Sequence, residues 1–118
     1  DTLAVRDPVL VRALSFLRQN AAQPVRVRDV SRYAGVSRRV LERHFMEVMR
    51  CTPADEIRRV HIDRAIRLLV ETDLPMAQVA EMSGFGSQAY FSDIFRRQLS
   101  LTPVQYRKRN RSPSKSYR

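Results

Sequence analysis

The stretch that decides the fold of this chain is AGVSRRVLERHF, residues 34–45. Gly35 can supply the positive φ that ends a preceding helix, and Ser37 is a natural N-cap for the next helix. Wound at about 100° per residue, that helix places Leu41 and Phe45 on one face. The opposite face carries Arg39, Glu42, Arg43 and Met46. The pattern is typical of the second helix of a helix-turn-helix, although a solvated surface helix of an all-α domain would show the same charges.

The composition points to a polyanionic partner. The net charge is +10 over 118 residues, so nucleic acid comes first and an acidic membrane surface second. A hydrophobic content of 43% is enough for a modest core in one domain or two very small lobes.

The one cysteine, Cys51, excludes an internal disulfide and fits a reducing cytosol. No Cys/His cluster predicts a metal site, and no cofactor is implied. No apolar run approaches the ~18 residues of a membrane span, and no membrane partner is expected. The chain begins at Asp1 rather than methionine, so we expect a fragment of a longer cytoplasmic protein.

Capping residues and breakers divide the chain into helices. Asp7-Pro8 starts a first helix that we expect to reach about residue 21. The second covers 27–34 with Arg28 at its cap position. The later helices are predicted over 37–50, 53–72, 75–83, 88–99 and 103–109. Four of them open at Ser37, Thr52-Pro53, Ser87 and Thr102-Pro103, and the helix that ends near residue 83 starts at Pro75 or Met76. No segment alternates apolar and polar residues long enough for a strand, so the class is all-α with about seven helices.

An internal repeat favours the helix-turn-helix interpretation. Residues 30–53 match residues 79–103, with Gly35 against Gly84 at an offset of 49 and Ser37 against Ser87 at an offset of 50. The extra residue therefore falls in the turn, where an insertion is best tolerated. We expect a linker from an absent effector domain over 1–7, lobe one over 8–53, a connecting helix over 53–72, lobe two over 75–109 and a basic disordered tail over 110–118.

The spacing of the two units suits DNA. A connecting helix of about 19 residues is ~28 Å long, close to the ~34 Å between successive major grooves on one side of the duplex. Two reading helices held this far apart can enter adjacent major grooves without a dimer. A generic helical bundle needs neither the repeat nor the charge, so DNA binding is the favoured function.

These residues resemble the DNA-binding domain of the AraC/XylS family of bacterial transcription regulators. The resemblance covers about 9–109 and is most specific in AEMSGFGSQAYFSDIFRR at 80–97 and TPVQYR at 102–107. It implies two helix-turn-helix lobes joined by a long helix, binding to double-stranded promoter DNA, and activation through contact with RNA polymerase. The opening, with LAV at 3–5 and ALSFLR at 13–18, resembles the xylose-responsive members, in which a sugar-binding domain precedes this one.

The resemblance assigns base contacts in the first reading helix to Arg39, Glu42 and Arg43, which share its outward face. Arg39 and Arg43 can each donate two hydrogen bonds to guanine O6 and N7. Glu42 can accept from cytosine N4, or instead pair with an arginine and fix its rotamer. Family members often carry an aromatic residue where Arg39 stands, so we expect a different sequence preference here.

In the second reading helix the implied base contacts are Gln88, Ala89 and Asp93. Gln88 suits adenine N6 and N7, and Ala89 offers a methyl contact to thymine. Asp93 departs from the family, where a basic residue is common, and repels phosphate unless it meets a cytosine amine. The second lobe is therefore predicted to be the weaker or the more selective reader.

Contacts to the DNA backbone are expected at the capped helix starts and at nearby cations. The predicted set is Ser37, Arg38, Arg58, Ser87, Ser92, Arg96, Arg97 and Val104, of which Arg58 and the helix start after Pro103 rest on the resemblance. Tyr90 and Tyr106 are predicted to pack between helices.

Two other functions are compatible with parts of the sequence. A non-specific architectural or RNA-binding protein would share the charge but would not prefer one sequence. An enzyme would need His44 or His61 as a base, and neither histidine has a nucleophile or metal ligand near it in the predicted helices. Both histidines are therefore interpreted as structural.

Overall fold

A computed structural model describes residues 6–111, and all of their regular structure is helical. The helices are α1 (Pro8–Gln19), α2 (Val27–Ala34), α3 (Arg38–His44), α4 (Pro53–Glu71), α5 (Met76–Met82), α6 (Gln88–Leu99) and α7 (Pro103–Asn110). A π-helical turn, Phe45–Met49, continues α3 and ends at Arg50, whose φ is +59°. The prediction of seven helices in an all-α fold is confirmed for this part of the chain.

The helices build two separate cores that share one helix. The first core gathers residues of α1 to α3 and the start of α4: Leu10, Ala13, Leu17, Val30, Ala34, Leu41, Phe45 and Ile57. The second gathers the rest of α4 with α5 and α6: Ile62, Ala65, Leu69, Val79, Ala80, Phe85, Phe91 and Phe95. Helix α4 has 19 residues and is the predicted long connection between two lobes.

Local capping explains why both lobes fold alike. The hydroxyls of Ser37 and Ser87 each accept a hydrogen bond of 3.2 Å from the backbone N–H three residues on. Thr52 opens α4 with a capping box completed by Asp55, and Thr102 opens α7 with one completed by Gln105. The repeat seen in the sequence is therefore a repeat of hydrogen bonds as well.

The turns before the two reading helices need glycine. Gly35 has φ +76° and Gly84 has φ +88°, both in the region that side chains with a Cβ rarely adopt. The predicted positive φ at each turn is confirmed.

Two boundaries in the first two helices differ from prediction. Helix α1 ends at Gln19 rather than near residue 21, because the Asn20 side chain donates to Phe16 O at 2.9 Å. The cap position of α2 is Arg26, not Arg28. Arginine has no acceptor, so the start of α2 relies on the Asp29 carboxylate, which accepts from the Arg26 backbone N–H at 2.9 Å.

The chain ends also bear on the predicted boundaries. Helix α7 includes Asn110, and Arg111 donates to Thr72 O at 3.2 Å and pairs with Asp73. These first two residues of the predicted basic tail thus belong to the folded lobe. The remaining tail, 112–118, and positions 1–5 of the predicted linker lie outside the described residues.

Several arginines donate hydrogen bonds to backbone carbonyl oxygens at or near helix ends. Arg12 Nε–H donates to Ala34 O at 3.0 Å, and Arg64 Nε–H donates to Met82 O at 2.6 Å. Arg107 donates to Leu69 O and Leu74 O near the end of α4. Cations at helix C-termini satisfy carbonyl oxygens that lack an intrahelical partner. Part of the positive charge is therefore structural.

Among residues 6–111, none of the helices combines the length and the apolar character needed to cross a bilayer.

Candidate nucleic-acid interface

The outward face of α3 forms the first half of the candidate interface. Leu41 and Phe45 are fully buried and fix the roll of the helix, which turns the opposite face to solvent. That face and the residue before α4 line one shallow depression: Arg39, Glu42, Arg43, Met46 and Thr52. The structure thus brings together the three base-contacting residues predicted for the first lobe.

Two residues of this depression were absent from the predicted site. Met46 is 48% exposed, although methionine is usually buried. Thr52 reaches the depression because the chain turns at Arg50 and starts α4 beside α3. The helical pattern placed Met46 outward, but nothing in the sequence indicated that Thr52 would return to the same surface.

Glu42 pairs with the neighbouring Arg38 in the protein alone. Arg38 Nε lies 3.0 Å from Glu42 Oε2, and both side chains are about half exposed or more, at 66% and 47%. An exposed pair of this kind contributes about 0–1 kcal/mol, so a base could displace it. The pair corresponds to the alternative in which Glu42 orders an arginine, and it leaves the guanidinium groups of Arg39 and Arg43 exposed on the same face.

The outward face of α6 forms the second half of the candidate interface. Phe91 and Phe95 are fully buried, while Gln88, Ala89 and Asp93 are exposed together on the other side. Asp93 Oδ1 lies 3.4 Å from Arg97 Nε. This contact partly offsets the negative charge that Asp93 would bring to a phosphate backbone.

Tyr90 does not pack between helices as predicted. It is 50% exposed, and its ring leans on Phe85 with a centroid distance of 6.0 Å. Position 90 borders the buried face of α6, where the helical pattern alone does not decide the direction of a side chain. Tyr106, by contrast, packs edge-on against Phe95 at 5.5 Å, as predicted.

The predicted backbone-contacting residues differ in their exposure and in their partners within the protein. Ser37 and Ser87 are exposed at the helix starts, with their hydroxyls engaged as caps. The helical pattern of α6 predicts that Ser92 faces outward, whereas in the structure it is half-buried. Arg58 Nη2 donates to Asp55 Oδ1 at 2.6 Å, so a phosphate would compete with that carboxylate. Exposed positions complete the set: Arg38, Arg96, Arg97 and Val104.

Both histidines are engaged within the protein. His44 Nδ1 lies 2.7 Å from Asp7 Oδ2, and since a carboxylate only accepts, Nδ1 carries the hydrogen. His61 is buried, which lowers its pKa, and its Nε2 lies 2.9 Å from Gln23 O. Within residues 6–111, no group of His, Cys, Asp and Glu side chains could hold a metal ion. The histidines thus serve packing and capping.

Comparisons with known proteins identify related helix-turn-helix sequences and structures. A family model described as a helix-turn-helix domain matches residues 30–109. The xylose operon regulatory protein of Haemophilus influenzae is 30% identical over 107 residues, which are 91% of this chain and 28% of that protein. The chain therefore spans little more than a quarter of the length of this relative.

Two solved structures share the fold. A transcriptional regulator from Chromobacterium violaceum, described as containing an AraC-type DNA-binding domain, is 32% identical with a TM-score of 0.82, over 93% of this chain and 98% of that one. The DNA-binding domain of the global transcriptional factor AdpA, solved with a target DNA, is 27% identical with a TM-score of 0.81, over 87% of this chain and 92% of that one.

Proposed function

The chain belongs to the AraC-type helix-turn-helix DNA-binding domains of transcription regulators, and from this membership we propose that it reads one promoter site with both lobes at once. One reading helix, α3 or α6, enters each of two adjacent major grooves. The observation that supports this most is the pair of equivalent exposed faces, each preceded by a glycine turn and a serine cap, on either side of the 19-residue helix α4. Such a length suits the ~34 Å repeat of B-DNA.

The two lobes contribute different chemistry. Arg39 and Arg43 offer two bidentate donors for guanine, whereas Gln88 offers one amide for adenine and Ala89 a methyl group. Glu42 and Asp93 are the acceptors for a cytosine amine, each first releasing its arginine partner. The first lobe is thus the dominant reader. Ser37, Ser87 and the surrounding arginines fix the register through phosphate contacts.

Selection of bound duplexes from a random pool tests the proposal. The selected site should bind at least ~10³-fold more tightly than a scrambled duplex of equal length at the same salt concentration. A ratio near one would instead identify an architectural protein that binds any sequence.

The salt dependence of the affinity of the same complex tests whether both lobes bind the duplex at once. If the domain neutralises about 6–8 phosphates, log affinity should fall against log salt with a slope of about −5 to −7. A slope shallower than about −2 would mean that only one lobe touches the duplex.

For the whole regulator we propose a cytoplasmic activator that contacts RNA polymerase and whose other part binds a sugar such as xylose. The support is the xylose operon regulatory protein, which extends well beyond the matched region. Calorimetry of the full-length regulator with xylose, using arabinose as the control sugar, tests the effector. Transcription in vitro with purified RNA polymerase, with and without the sugar, tests activation.

A further inference from the structure

The two lobes touch beside the connecting helix at a junction formed by Gln23, His61 and Gly84. Gln23 lies in the loop between α1 and α2 of lobe one, His61 lies near the middle of α4, and Gly84 forms the turn of lobe two. His61 Nε2 lies 2.9 Å from Gln23 O, and its ring packs against Phe85 with a centroid distance of 5.7 Å. His61 therefore contacts both lobes from the helix that joins them.

The approach at Gly84 is too close for any side chain. A Cβ at Gly84 would lie 2.4 Å from His61 Nε2 and 2.8 Å from Gln23 O, both well inside contact distance. The equivalent glycine of lobe one, Gly35, would meet nothing within 4 Å, and neither would the nearby Gly86. The tight approach is thus a property of the junction and not of the turn type, since all three glycines have positive φ.

The hydrogen bond has a defined donor. A carbonyl oxygen only accepts, so Nε2 carries the hydrogen. Burial lowers the pKa of His61 below its ordinary 6.5, against a smaller opposing effect of the bond to Gln23, so the ring is neutral at pH 7. The neutral ring, with its Nε2–H bonded to Gln23 O, therefore occupies a defined position between the backbone of Gln23 and that of Gly84.

Because α4 contributes to both cores, a bend in α4 would change the orientation of one lobe relative to the other. A second attachment beside that helix opposes such a change. We propose that His61 is a positioning residue that sets the orientation of lobe two relative to lobe one, and with it the spacing at which α3 and α6 meet the duplex. The second clause rests on the proposed function, whereas the first concerns the protein alone.

The first experiment measures lobe orientation without DNA. Gln19 in α1 and Gln98 in α6, which are both exposed, are replaced by cysteine and spin-labelled in a Cys51→Ala background. Pulsed electron paramagnetic resonance then measures the distribution of distances between the two labels. The compared variants are His61→Ala, which removes the donor, and His61→Gln, whose amide N–H can replace it. We expect a narrow distribution for the parent and His61→Gln, and a broadened one for His61→Ala. An unchanged distribution in folded His61→Ala would overturn the proposal.

If His61→Ala does not fold, Gly84→Ala provides the same test from the other side of the junction. Gly86→Ala is its matched control, because it has the same positive φ and free space around the added Cβ. A shifted or broadened distance in Gly84→Ala, with Gly86→Ala like the parent, supports the junction. Equal behaviour of the two glycine variants overturns it.

The second experiment measures the consequence on DNA. One base pair inserted between the two half-sites of the selected duplex moves them by ~3.4 Å and rotates them by ~35°. The parent should bind the shifted site ~10-fold more weakly, and His61→Ala should reduce that penalty below ~3-fold while binding a half-site duplex as well as the parent. An undiminished penalty in His61→Ala would refute the spacing role. Failure of the parent to prefer its selected site would refute the proposed function, while the label distances would still decide the junction.

Discussion

Arg64 of the connecting helix α4 makes the same kind of contact with lobe two that Arg12 makes within lobe one. Each donates its Nε–H to a carbonyl oxygen at the C-terminal end of the helix before the turn, Arg12 to Ala34 O at 3.0 Å and Arg64 to Met82 O at 2.6 Å. The two arginines come from α1 and α4, the helices that support each helix-turn-helix. The repeat therefore includes the supporting helices, where Arg12-Ala13-Leu14 and Leu17 match Arg64-Ala65-Ile66 and Leu69 at an offset of 52.

This relationship predicts a stability cost that has nothing to do with DNA contacts. Arg64 is half-buried, so Arg64→Met leaves a carbonyl oxygen without its charged donor and should lower the free energy of unfolding by about 1–2 kcal/mol. Arg12 is exposed, and Arg12→Met should cost less than about 1 kcal/mol because water can replace the donor. Urea denaturation measures both, with the exposed Arg67→Met on α4 as the control. Equal urea midpoints for Arg64→Met and Arg67→Met would contradict a stabilising role for the hydrogen bond from Arg64 to Met82 O.

The two turn glycines should differ in how badly they tolerate substitution. Gly35→Val and Gly84→Val should each destabilise their lobe, because a β-branched residue is strained at positive φ. For alanine the strain is about 1–2 kcal/mol at either site, but only at Gly84 does the new Cβ also strike His61 and Gln23. Thermal unfolding should therefore show a larger loss for Gly84→Ala than for Gly35→Ala. The reverse order would be inconsistent with the close approach at Gly84.

Arg39 and Arg43 are expected to carry the base preference of the first half-site. Each alanine variant should weaken binding to the selected site by ~10-fold or more, since a bidentate arginine–guanine pair discriminates by ~1–3 kcal/mol. The measurement is a titration against a panel of single-base variants at fixed salt, where preference should relax at one or two positions only. Equal losses on operator and random DNA would reassign both arginines to phosphate contacts.

Asp93→Ala should have the opposite effect in the second half-site. Removing the carboxylate relieves repulsion from phosphate and frees Arg97, so overall affinity should hold or rise while sequence preference falls. The same duplex panel serves, with Arg43→Ala measured beside it. A loss of specific binding as large as that of Arg43→Ala would make Asp93 a principal reader and reverse the ranking of the lobes.

Acid should weaken the start of α1 through Asp7. Burial raises the pKa of this carboxyl, but hydrogen bonds from His44 and the backbone of Leu10 outweigh it, so the net pKa is below the ordinary 3.8. Its contribution to stability is therefore fully present above pH 3.8 and is lost as pH falls through the lower folded value. Asp7→Asn keeps a capping side chain but not the charge. The urea midpoint of Asp7→Asn should be clearly lower than that of the parent at pH 6, and the difference should shrink as the pH falls into the acid range. A difference that does not change with pH would show that the charge of Asp7 does not contribute to stability.

Sequence patterns were most informative where local rules act alone. Ser37, Ser87 and the two turn glycines behave as predicted because a cap or a positive φ depends on a few neighbouring residues. The outward set on α3 also follows directly from helical periodicity. Those features are enough to define both lobes and the faces that carry Arg39, Arg43 and Gln88.

Features that depend on distant segments were not predictable. The partner of His61 is 38 residues away, and the carbonyl that Arg12 reaches is 22 residues away. No local pattern separates such cations and histidines from solvated ones. The prediction for Tyr90 was wrong for a related reason, because the direction of its side chain depends on where Phe85 lies in the preceding turn.

Helix α4 belongs to both cores, with Ile57 in the first and Ile62, Ala65 and Leu69 in the second. The molecule therefore has no place at which it can be cut into two self-sufficient halves. A fragment that ends before Pro53 lacks Ile57 of the first core. A fragment that begins after Glu71 lacks the three α4 residues of the second core. A fragment made to study either lobe alone must therefore include residues 53–71. The two lobes can be separated only if each fragment carries its own copy of α4.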